Sequence, residues 1–267
     1  MLTKLAVVTG ATGGIGGAIS EALCAAKYSV CLVGRNTQAL QIRREQLAKK
    51  YSSVKVYAQT CDITEADDRI ALVHAVQHLE HALALWVNNA GISDFGLFQE
   101  QSPDVIAAQL DVNTKAPMLM TQALLNSIDS DGELQIINVG STFGSIGFPG
   151  FVAYSASKFA LRGFTQALSR ELADSAIRIR YFAPRATKTA LNPSAVNAMN
   201  RELQVAMDTP DMVAQAFMAF LRSKAETRHV GFPEKLFARL NQILPGFVSG
   251  ALLKQLPVIR RYAKRQS

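Results

Sequence analysis

Cysteine is scarce in this chain, and its three cysteines are not placed for a disulfide framework or a metal site. Cys24, Cys31 and Cys61 form no Cys-x-x-Cys pair and are scattered through apolar segments. An odd, scattered set is typical of reduced core thiols in a reducing compartment. His74 and His78 share one face of a predicted helix, but no third ligand or carboxylate accompanies them. We therefore predict an exposed helix there and no metal site.

Long apolar runs are also missing. No uninterrupted run is long enough to span a bilayer, and the opening residues Met1–Leu5 lack the pattern of a secretory signal peptide. With 267 residues, 49% of them hydrophobic, the chain is long and apolar enough for one large α/β domain. We predict a cytoplasmic protein, with possible peripheral attachment to the inner face of a membrane through its C-terminal segment.

Excess positive charge is absent from most of the chain. The net charge is +7, yet residues Arg228–Ser267 hold eight of the 28 basic residues and one of the 21 acidic ones, Glu234. The rest of the chain is therefore neutral. A nucleic-acid-binding domain would need a basic face of its own, so we exclude nucleic acid as a partner of the main domain.

Apolar strands alternate with helices along the chain without a linker or an internal repeat. The predicted strands are 4–9, 29–33, 54–58, 84–88, 136–139, 177–182 and 229–232. The predicted helices are 18–26, 37–51, 64–83, 103–111, 114–127, 152–174 and 210–221. The segment Leu191–Asp208 is interpreted as a loose lid or substrate loop. Such alternation predicts one α/β domain built on a parallel sheet.

A glycine-rich turn joins the first strand to the first helix. It reads Gly10-Ala-Thr-Gly-Gly-Ile-Gly16, which spaces its glycines as Gly10-x-x-x-Gly14-x-Gly16. Glycines let the backbone approach a pyrophosphate closely, and a helix N-terminus offers free N–H groups. A turn without a ligand is the alternative, but a strand before it and a helix after it favour a nucleotide site.

The ends of the next two strands carry further candidates. Arg35, with Asn36, follows the second strand, where an acid would bind ribose hydroxyls; a guanidinium can instead pair with the 2′-phosphate of NADP. The alternative for Arg35 is an ordinary surface arginine, and the cofactor interpretation is favoured over it. Asp62, with Ile63, follows the third strand and could reach an adenine amino group, or form a turn or helix cap in competition with Thr64.

Two groups of amides follow. Asn88-Asn89-Ala90-Gly91 ends the fourth strand, where small residues and amides meet cofactors in such sheets. Asn113 falls inside a helical pattern, where it indicates either a kink with a freed carbonyl or plain surface polarity.

A serine, a tyrosine and a lysine are placed to converge beside the sheet. Ser141 lies just past the strand that contains Ile136 and Val139, while Tyr154 and Lys158 are four residues apart on one helix face. These groups are acid–base equipment for a carbonyl or an alcohol. Tyr-x-x-x-Lys by itself is more often a solvated helix face, so the surrounding motifs carry the interpretation.

Taken in order, these residues resemble the classical short-chain dehydrogenase/reductase superfamily over about Lys4 to Phe232. The resemblance implies a Rossmann-type doubly wound parallel sheet with helices on both faces, NAD(P)-dependent oxidation or reduction of CH–OH and C=O groups, and a homodimer or homotetramer. The catalytic residues it implies are Asn113, Ser141, Tyr154 and Lys158. The implied cofactor-binding residues are Gly10, Thr12, Gly13, Gly14, Ile15, Gly16, Arg35, Asn36, Asp62, Ile63, Asn89, Ala90, Gly91, Tyr154, Lys158, Pro184, Thr187 and Thr189.

Charge suggests how the implied catalytic set would work. Tyrosine has a reference pKa near ~10, and the Lys158 ammonium together with an oxidised nicotinamide would favour the phenolate. Tyr154 would then exchange a proton with the substrate oxygen, and Ser141 would hydrogen-bond that oxygen. Lys158 would also bind the nicotinamide ribose. Asn113 would hold either a water or the kinked helix, as part of a proton relay to solvent.

Two departures from the family pattern affect these expectations. The family usually has Pro-Gly after the sixth strand, whereas this chain has Pro184-Arg185. The Arg185 side chain must turn away from the cofactor or take part in the pocket. Gly13 stands where many NADP-preferring members carry a basic residue, so Arg35 is the main basis for favouring NADP(H) over NAD(H).

Phenylalanines in the loops suggest an apolar substrate of the fatty aldehyde, 3-oxoacyl or steroid-like ketone class. The residues concerned are Phe95, Phe98, Phe143, Phe148, Phe151, Leu191 and Met199, which could also be ordinary core. A non-catalytic dinucleotide-binding sensor or scaffold at a membrane surface is the alternative function. Such a protein could dispense with the tyrosine and lysine that this chain keeps.

The last residues form the part least like the family. We predict a catalytic domain over 1–233 and a basic amphipathic extension over 234–267, which Pro245 and Pro257 divide into three short helical pieces. The first piece has an apolar stripe at helical spacing, formed by Leu236, Phe237, Leu240, Ile243 and Leu244. Such stripes beside the basic cluster Arg260–Arg265 suit an interfacial helix on anionic lipid. A subunit interface, or a flap over the substrate pocket, is the alternative and is slightly favoured.

Overall fold

A computed structural model describes residues 3–128 and 133–264. Within those ranges seven strands form one sheet, in the order β3-β2-β1-β4-β5-β6-β7, and every neighbouring pair is parallel. The strands are β1 Lys4–Thr9, β2 Ser29–Gly34, β3 Val56–Thr60, β4 Ala82–Asn88, β5 Leu134–Val139, β6 Ile177–Ala183 and β7 Thr227–His229. The order turns back at β1, so the predicted doubly wound parallel sheet is confirmed.

Helices connect the strands and cover the sheet. The α-helices are α1 Gly14–Ala25, α2 Thr37–Lys50, α3 Ala66–Gln77, α4 Pro103–Leu110, α5 Ala116–Leu125, α6 Val152–Glu171, α7 Ser194–Glu202, α8 Pro210–Leu221, α9 Glu234–Ile243 and α10 Pro245–Ala263. Short 3₁₀ helices span Phe98–Glu100 and Thr142–Gly144, and a π-helical turn spans Asp111–Lys115.

Alternate residues of strand β1 face two separate apolar layers. Ala6 and Val8 pack with the buried side chains of α1, α2 and α8, whereas Leu5 and Val7 pack with those of α3 and α5. All four are fully buried. Because both faces of a parallel sheet are covered, its strands are continuous apolar runs, and this is why composition alone could locate them.

Several element boundaries differ from prediction. Helix α1 begins at Gly14, four residues before the predicted start, because the glycine loop turns directly into the helix. The predicted helix 64–83 ends at Gln77 and β4 already begins at Ala82, since a run rich in Ala and Leu fits either structure. Strand β3 lies two residues later than predicted, and β7 two residues earlier at its start.

The segment Leu191–Asp208 is not loose throughout. It contains the amphipathic helix α7, whose Val196 and Met199 are buried at 4% and 1% exposure. These side chains pack with Phe151 and with Ile259 of α10. Tertiary packing of one apolar face therefore stabilises a helix that local composition did not indicate.

The C-terminal extension forms two helices rather than three pieces, because Pro257 lies within α10 without ending it. Pro257 is on the exposed side of the helix, where a carbonyl that loses its partner can be hydrated. Helix α9 packs against the Thr142–Gly144 turn and α10 against α7. Arg265, predicted to belong to the basic cluster, lies outside the described residues, and the domain boundary at 233 stays a prediction. No helix in the two described ranges is long and apolar enough to cross a bilayer.

Candidate active site

The glycine loop forms a cradle that side chains would fill. Gly10 has φ +66° and Gly14 φ +55°, values that favour glycine. A Cβ on Gly16 would lie 2.3 Å from the carbonyl oxygen of Gly10. Gly13, at the N-cap of α1, provides no side-chain cap, and the first turn has no acidic residue. Open amides at a helix N-terminus beside a close backbone approach fit a pyrophosphate group.

Hydrogen bonds hold the ends of β1 and β4 together beside this loop. The Thr9 hydroxyl accepts from the backbone N–H of Asn89 at 2.9 Å and of Ala90 at 3.0 Å. The Asn89 side chain donates to the Thr9 carbonyl at 2.8 Å. The predicted residues Asn89 and Ala90 are therefore positioned by Thr9. The site prediction omitted Thr9, although a hydroxyl directly before a glycine loop is a usable signal.

The predicted residues at the ends of β2 and β3 lie beside the loop but outside the main cavity. Asn36 caps α2, because its Oδ1 accepts from the Ala39 N–H at 2.9 Å. Asp62 forms a turn, accepting from the N–H and the hydroxyl of Thr64 at 3.0 and 2.7 Å. This geometry matches the turn interpretation of Asp62. Burial raises the pKa of Asp62, but the Thr64 hydrogen bonds and Arg35 outweigh it and lower the pKa.

Arg35 extends from the end of β2 into solvent. Its side chain is 72% exposed, and its NH1 lies 3.9 Å from a carboxylate oxygen of Asp62. A Cβ on the preceding Gly34 would lie 3.5 Å from Cγ2 of Thr12, so the end of β2 contacts the glycine loop. Arg35 is the next residue and therefore lies beside that loop. A long, exposed ion pair is weak, and the guanidinium can turn to an anion bound at this edge.

A cavity of about 780 Å³ runs from the glycine loop to the C-terminal helices. Most of the predicted site residues line it: Gly10, Thr12, Gly13, Gly14, Ile15, Gly16, Asn89, Ala90, Gly91, Ser141, Tyr154, Lys158, Pro184, Thr187 and Thr189. Arg35, Asn36, Asp62, Ile63 and Asn113 are not among its lining residues. The segment after β6 closes over the loop, because a Cβ on Gly14 would meet Cγ2 of Thr189 at 3.4 Å.

Ser141, Tyr154 and Lys158 all line this cavity. Nζ of Lys158 lies 5.8 Å from the Tyr154 ring centre and donates to the Val139 carbonyl at 3.2 Å. Burial raises the pKa of Tyr154, and a hydrogen bond with the Ser141 side chain lowers it in part. Burial lowers the pKa of Lys158 to about 8. Desolvation thus favours the neutral form of both groups, and it outweighs any effect of Lys158 on the phenol.

Tyr181 supports this set from beneath, and sequence reasoning missed it. It is fully buried in β6, and its hydroxyl lies 3.4 Å from both the Ser141 nitrogen and the Lys158 carbonyl oxygen. A Cβ on Gly140 would lie 2.0 Å from the Tyr181 hydroxyl, and one on Gly144 would lie 2.2 Å from it. Two glycines around Ser141 were the available signal for a bulky neighbour.

Asn113 lies in the π-helical turn and is fully buried. Its Nδ2 donates to the Ile92 carbonyl at 2.8 Å and to the Ser157 hydroxyl at 3.0 Å, while its Oδ1 accepts from the Ile92 N–H at 2.9 Å. Surface polarity is therefore the wrong interpretation, and a distorted helix is the right one. A Cβ on Gly91 would lie 3.0 Å from this Oδ1 and 3.5 Å from Nζ of Lys158, so the side chains of Asn113 and Lys158 both lie beside Gly91.

The Arg185 side chain turns toward carboxylates at the cavity edge. Its NH2 lies 2.7 Å from Asp208, and its NH1 lies 3.4 Å from Glu234 at the start of α9. The hydrogen bond to Asp208 is the main cause of the raised pKa of Arg185. Of the two expected outcomes, the second is observed, because Arg185 takes part in the edge of the cavity. Its ion pairs with carboxylates also join the segment after β6 to the C-terminal extension.

The far end of the cavity is apolar. Phe143, Phe148 and Phe151 form an aromatic cluster with Tyr154, with neighbouring ring centres 4.7 to 6.3 Å apart. The remaining apolar lining comes from Leu191, Val196, Met199, Phe237, Val248 and Leu252. Phe95 packs behind Phe151 at 4.9 Å. Phe98 is 53% exposed. Neither Phe95 nor Phe98 is among the lining residues, so the predicted place of both in the pocket is wrong.

The histidine pair of α3 is used locally. Nδ1 of His78 lies 2.8 Å from the His74 carbonyl oxygen. Among residues 3–128 and 133–264, no group of three or more His, Cys, Asp or Glu residues is placed to hold a metal ion. Cys24, Cys31 and Cys61 are free and buried, and burial raises the pKa of each thiol to about 11 or 12.

Known proteins resemble this chain in sequence and in structure. The family described as short chain dehydrogenase matches residues 4–200. A 3alpha-hydroxysteroid dehydrogenase from Mediterraneibacter gnavus is 30% identical over 225 residues, covering 82% of this chain and 90% of that protein.

Two solved structures match most of the fold. A short-chain dehydrogenase from Streptomyces avermitilis has a TM-score of 0.79 at 25% identity, covering 96% of this chain and 98% of that one. A single-residue variant of actinorhodin polyketide ketoreductase with NADPH has a TM-score of 0.76 at 26% identity, covering 85% and 95%. The family match spans well over half of the chain and includes the glycine loop, Ser141, Tyr154 and Lys158. The chain therefore belongs to the short-chain dehydrogenase/reductase family of oxidoreductases.

Proposed function

We propose that this protein is an NADPH-dependent carbonyl reductase or alcohol dehydrogenase for an apolar substrate. The observation that carries the proposal is the position of Ser141, Tyr154 and Lys158, between a glycine cradle and an apolar cavity end. When bound, the nicotinamide cofactor supplies or accepts the hydride. The cofactor would be held by the Gly10–Gly16 loop, Asn89–Gly91, Lys158 and the Pro184–Thr189 segment.

Tyr154 acts as the general acid in the reducing direction. Because burial raises its pKa, the phenol keeps its proton at neutral pH until the substrate oxygen gains negative charge. The Ser141 hydroxyl donates a hydrogen bond to the same oxygen and holds it close to the phenol. As the proton leaves, the Lys158 ammonium stabilises the negative charge that develops on the Tyr154 oxygen. In the oxidising direction the phenolate takes the proton back from the alcohol.

Replacement of Tyr154 by phenylalanine tests the role directly. Tyr154→Phe removes only the hydroxyl, so we expect kcat to fall by at least about a hundredfold while the affinity for NADPH stays nearly unchanged. Tyr57→Phe is the matched control, because the Tyr57 hydroxyl bonds His81 in another part of the sheet. If Tyr154→Phe keeps more than about a hundredth of wild-type kcat, Tyr154 is not the general acid.

The proposed preference for NADPH over NADH rests on Arg35. An arginine follows β2 where an acid would reject a 2′-phosphate, and its exposed guanidinium has only a distant partner in Asp62. The ketoreductase relative with NADPH bound supports the same choice. A charge-assisted contact contributes ~1.5–3 kcal/mol, which corresponds to roughly ten- to a hundredfold in affinity.

Titration of both cofactors into wild type and Arg35→Ala measures this contact. We expect the NADPH preference to collapse in Arg35→Ala and to persist in Arg44→Ala, because Arg44 is a half-exposed arginine on α2. Equal affinities in the wild type, or an unchanged ratio in Arg35→Ala, would show the assignment to be wrong.

The substrate we propose is a fatty aldehyde, a 3-oxoacyl compound or a steroid-like ketone. The phenylalanine cluster and α7 give the far end of the cavity a hydrocarbon surface, and a relative 30% identical is described as a 3alpha-hydroxysteroid dehydrogenase. A turnover screen of these three classes, against short polar aldehydes of equal reactivity, tests the proposal. Preference for the short polar compounds would contradict it.

The proposed assembly is a homodimer or homotetramer. Leu110, Met118, Val152 and Phe159 are exposed large apolar side chains on neighbouring helices of one side of the sheet, as an interface between copies would require. The proposed location is the cytoplasm, which suits three free buried thiols, with peripheral contact at the inner face of a membrane through the extension.

A further inference from the structure

We propose that helices α9 and α10 form a substrate port, whose outer face docks on an anionic bilayer and whose inner face opens into the cavity. An apolar substrate would then enter from the lipid phase rather than from water. The inference rests on the proposed function above, since it requires an apolar substrate for the same cavity.

The same two helices present apolar side chains to the cavity and to the outside. Phe237 of α9 and Val248 and Leu252 of α10 line the cavity. On the outer side, around the turn between the helices, Ile243 is 76% exposed and Phe247 is 64% exposed. The two helices therefore carry apolar side chains both on the cavity side and on the outer side.

Of the nine described large apolar residues that are more than half exposed, six lie in this region. They are Phe232, Leu236, Ile243, Leu244, Phe247 and Leu253. Leu236 and Ile243 share one side of α9 at helical spacing. Exposed apolar patches of this density mark interaction surfaces rather than ordinary surface.

Charge decides which partner this surface fits. Lys235 and Arg239 of α9 and Lys254 of α10 are exposed on or beside the apolar patch. Glu234 is the only acidic residue from 234 onward, and it pairs with Arg185. The exposed charge of the port is therefore basic, which attracts anionic lipid headgroups.

A second copy of the chain is a poorer partner for the same surface. Two-fold interfaces bring the same patch of both subunits together. The basic residues Lys235, Arg239 and Lys254 of one patch would then face the same basic set on the other patch, and like charges across an interface are unfavourable. A bilayer offers hydrocarbon for Ile243 and Phe247 and negative charge for the basic residues together.

Both helices of the port make hydrogen bonds to the main domain, so the extension is held in place and is not a loose tail. Nδ2 of Asn241 donates to the Ser145 carbonyl at 2.9 Å. The Tyr262 hydroxyl donates to Glu202 of α7 at 2.8 Å, and Arg261 pairs with the same carboxylate. Because the port is held in place, its docking would orient the protein with the cavity beside the membrane.

The test uses a double variant that changes only the outer face. Ile243→Ser with Phe247→Ser alters no residue that lines the cavity. Ile70→Ser with Met212→Ser is the matched control, because these side chains are 63% and 51% exposed on α3 and α8. Each protein is sedimented with vesicles of phosphatidylcholine alone, or with about one third phosphatidylserine, at low and high salt.

Each protein is then assayed with a short water-soluble ketone and with a long-chain ketone dissolved in the vesicles. We expect wild type and the control to bind the anionic vesicles in a salt-sensitive manner. The double variant should lose at least about tenfold in vesicle affinity, because each buried Ile or Phe is worth roughly that factor. Its kcat/KM should fall similarly for the vesicle-dissolved ketone and stay unchanged for the short one.

Three outcomes would overturn the port. Wild type could turn over both ketones yet stay in the supernatant with anionic vesicles at low salt. Wild type could bind vesicles while its activity on the dissolved ketone is unaffected by the double variant. The double variant could instead convert a dimer to a monomer, which would assign the face to a second copy. Absence of turnover with either ketone would count against the proposed function, whereas vesicle binding reports on the port alone.

Discussion

Among the residues at the edge of the cavity, Arg185 should be the one whose replacement destabilises the fold most. Its guanidinium lies 2.7 Å from the Asp208 carboxylate, and the two side chains are 16% and 3% exposed. Arg185→Met keeps the apolar stem and removes the charge. It leaves a buried carboxylate without this partner, which is the costly way to break an ion pair.

The expected loss follows from that burial. Removal of one partner of a buried pair costs ~3–5 kcal/mol, and the partial exposure of Arg185 places this pair at the lower end, about 3 kcal/mol. The contact with Glu234 is longer, at 3.4 Å, with a carboxylate that is 21% exposed, and it adds at most about 0.5 kcal/mol. Asp208→Asn with Arg185→Met should cost much less than the two single changes together.

Urea unfolding measures these terms. Trp86 is the only tryptophan, fully buried in β4, so its fluorescence reports loss of the sheet. The wild type, both single variants and the double variant complete a cycle. A loss below about 1 kcal/mol for Arg185→Met, or a coupling energy near zero, would refute the argument that Asp208 depends on this guanidinium.

Two further predictions concern the catalytic set. Gly144→Ala would place a Cβ 2.2 Å from the Tyr181 hydroxyl and 2.8 Å from the Lys158 carbonyl oxygen, so it should destabilise the fold by at least about 1–3 kcal/mol and lower kcat. Gly163→Ala, with nothing within 4 Å, should stabilise α6 by roughly 0.5–1 kcal/mol, and equal unfolding midpoints for the two variants would contradict the steric argument. Burial lowers the pKa of Lys158 to about 8, so its positive charge is present below that pH and lost above it. The kcat/KM for NADPH-dependent reduction should therefore fall as pH rises through about 8, and a profile that is flat to about pH 10 would show that this charge is not needed.

Much of the fold was predictable because its determinants are local. A strand buried on both faces is a short apolar run, and the turn after β1 needs glycines at Gly10 and Gly16, whatever the rest of the chain does. The predicted boundaries were wrong where one composition suits both a helix and a strand, as between α3 and β4. Helix α7 was not predicted because its stability comes from contacts with α10 and Phe151, which are distant in sequence.

The candidate site divides in the same way. Ser141, Tyr154 and Lys158 could be predicted, since a strand end and one helix face place them by local rules. Tyr181 and Ser157 could not, because their partners are 40 and 44 residues away in sequence. Their identity as supports depends on which strands and helices become neighbours, and no single window of sequence contains that information.

The C-terminal extension marks the limit of periodicity as evidence. Sequence reasoning grouped Leu236, Phe237, Leu240, Ile243 and Leu244 into one amphipathic stripe. In the structure α9 has two apolar sides, with Phe237 facing the cavity while Leu236 and Ile243 are exposed. A period of 3.6 residues identifies apolar positions but not which of them meet protein. Charge resolves the choice for the outer side, because the exposed ionised residues described around it, Lys235, Arg239 and Lys254, are all basic, and a surface that is both apolar and basic is complementary to anionic lipid rather than to itself.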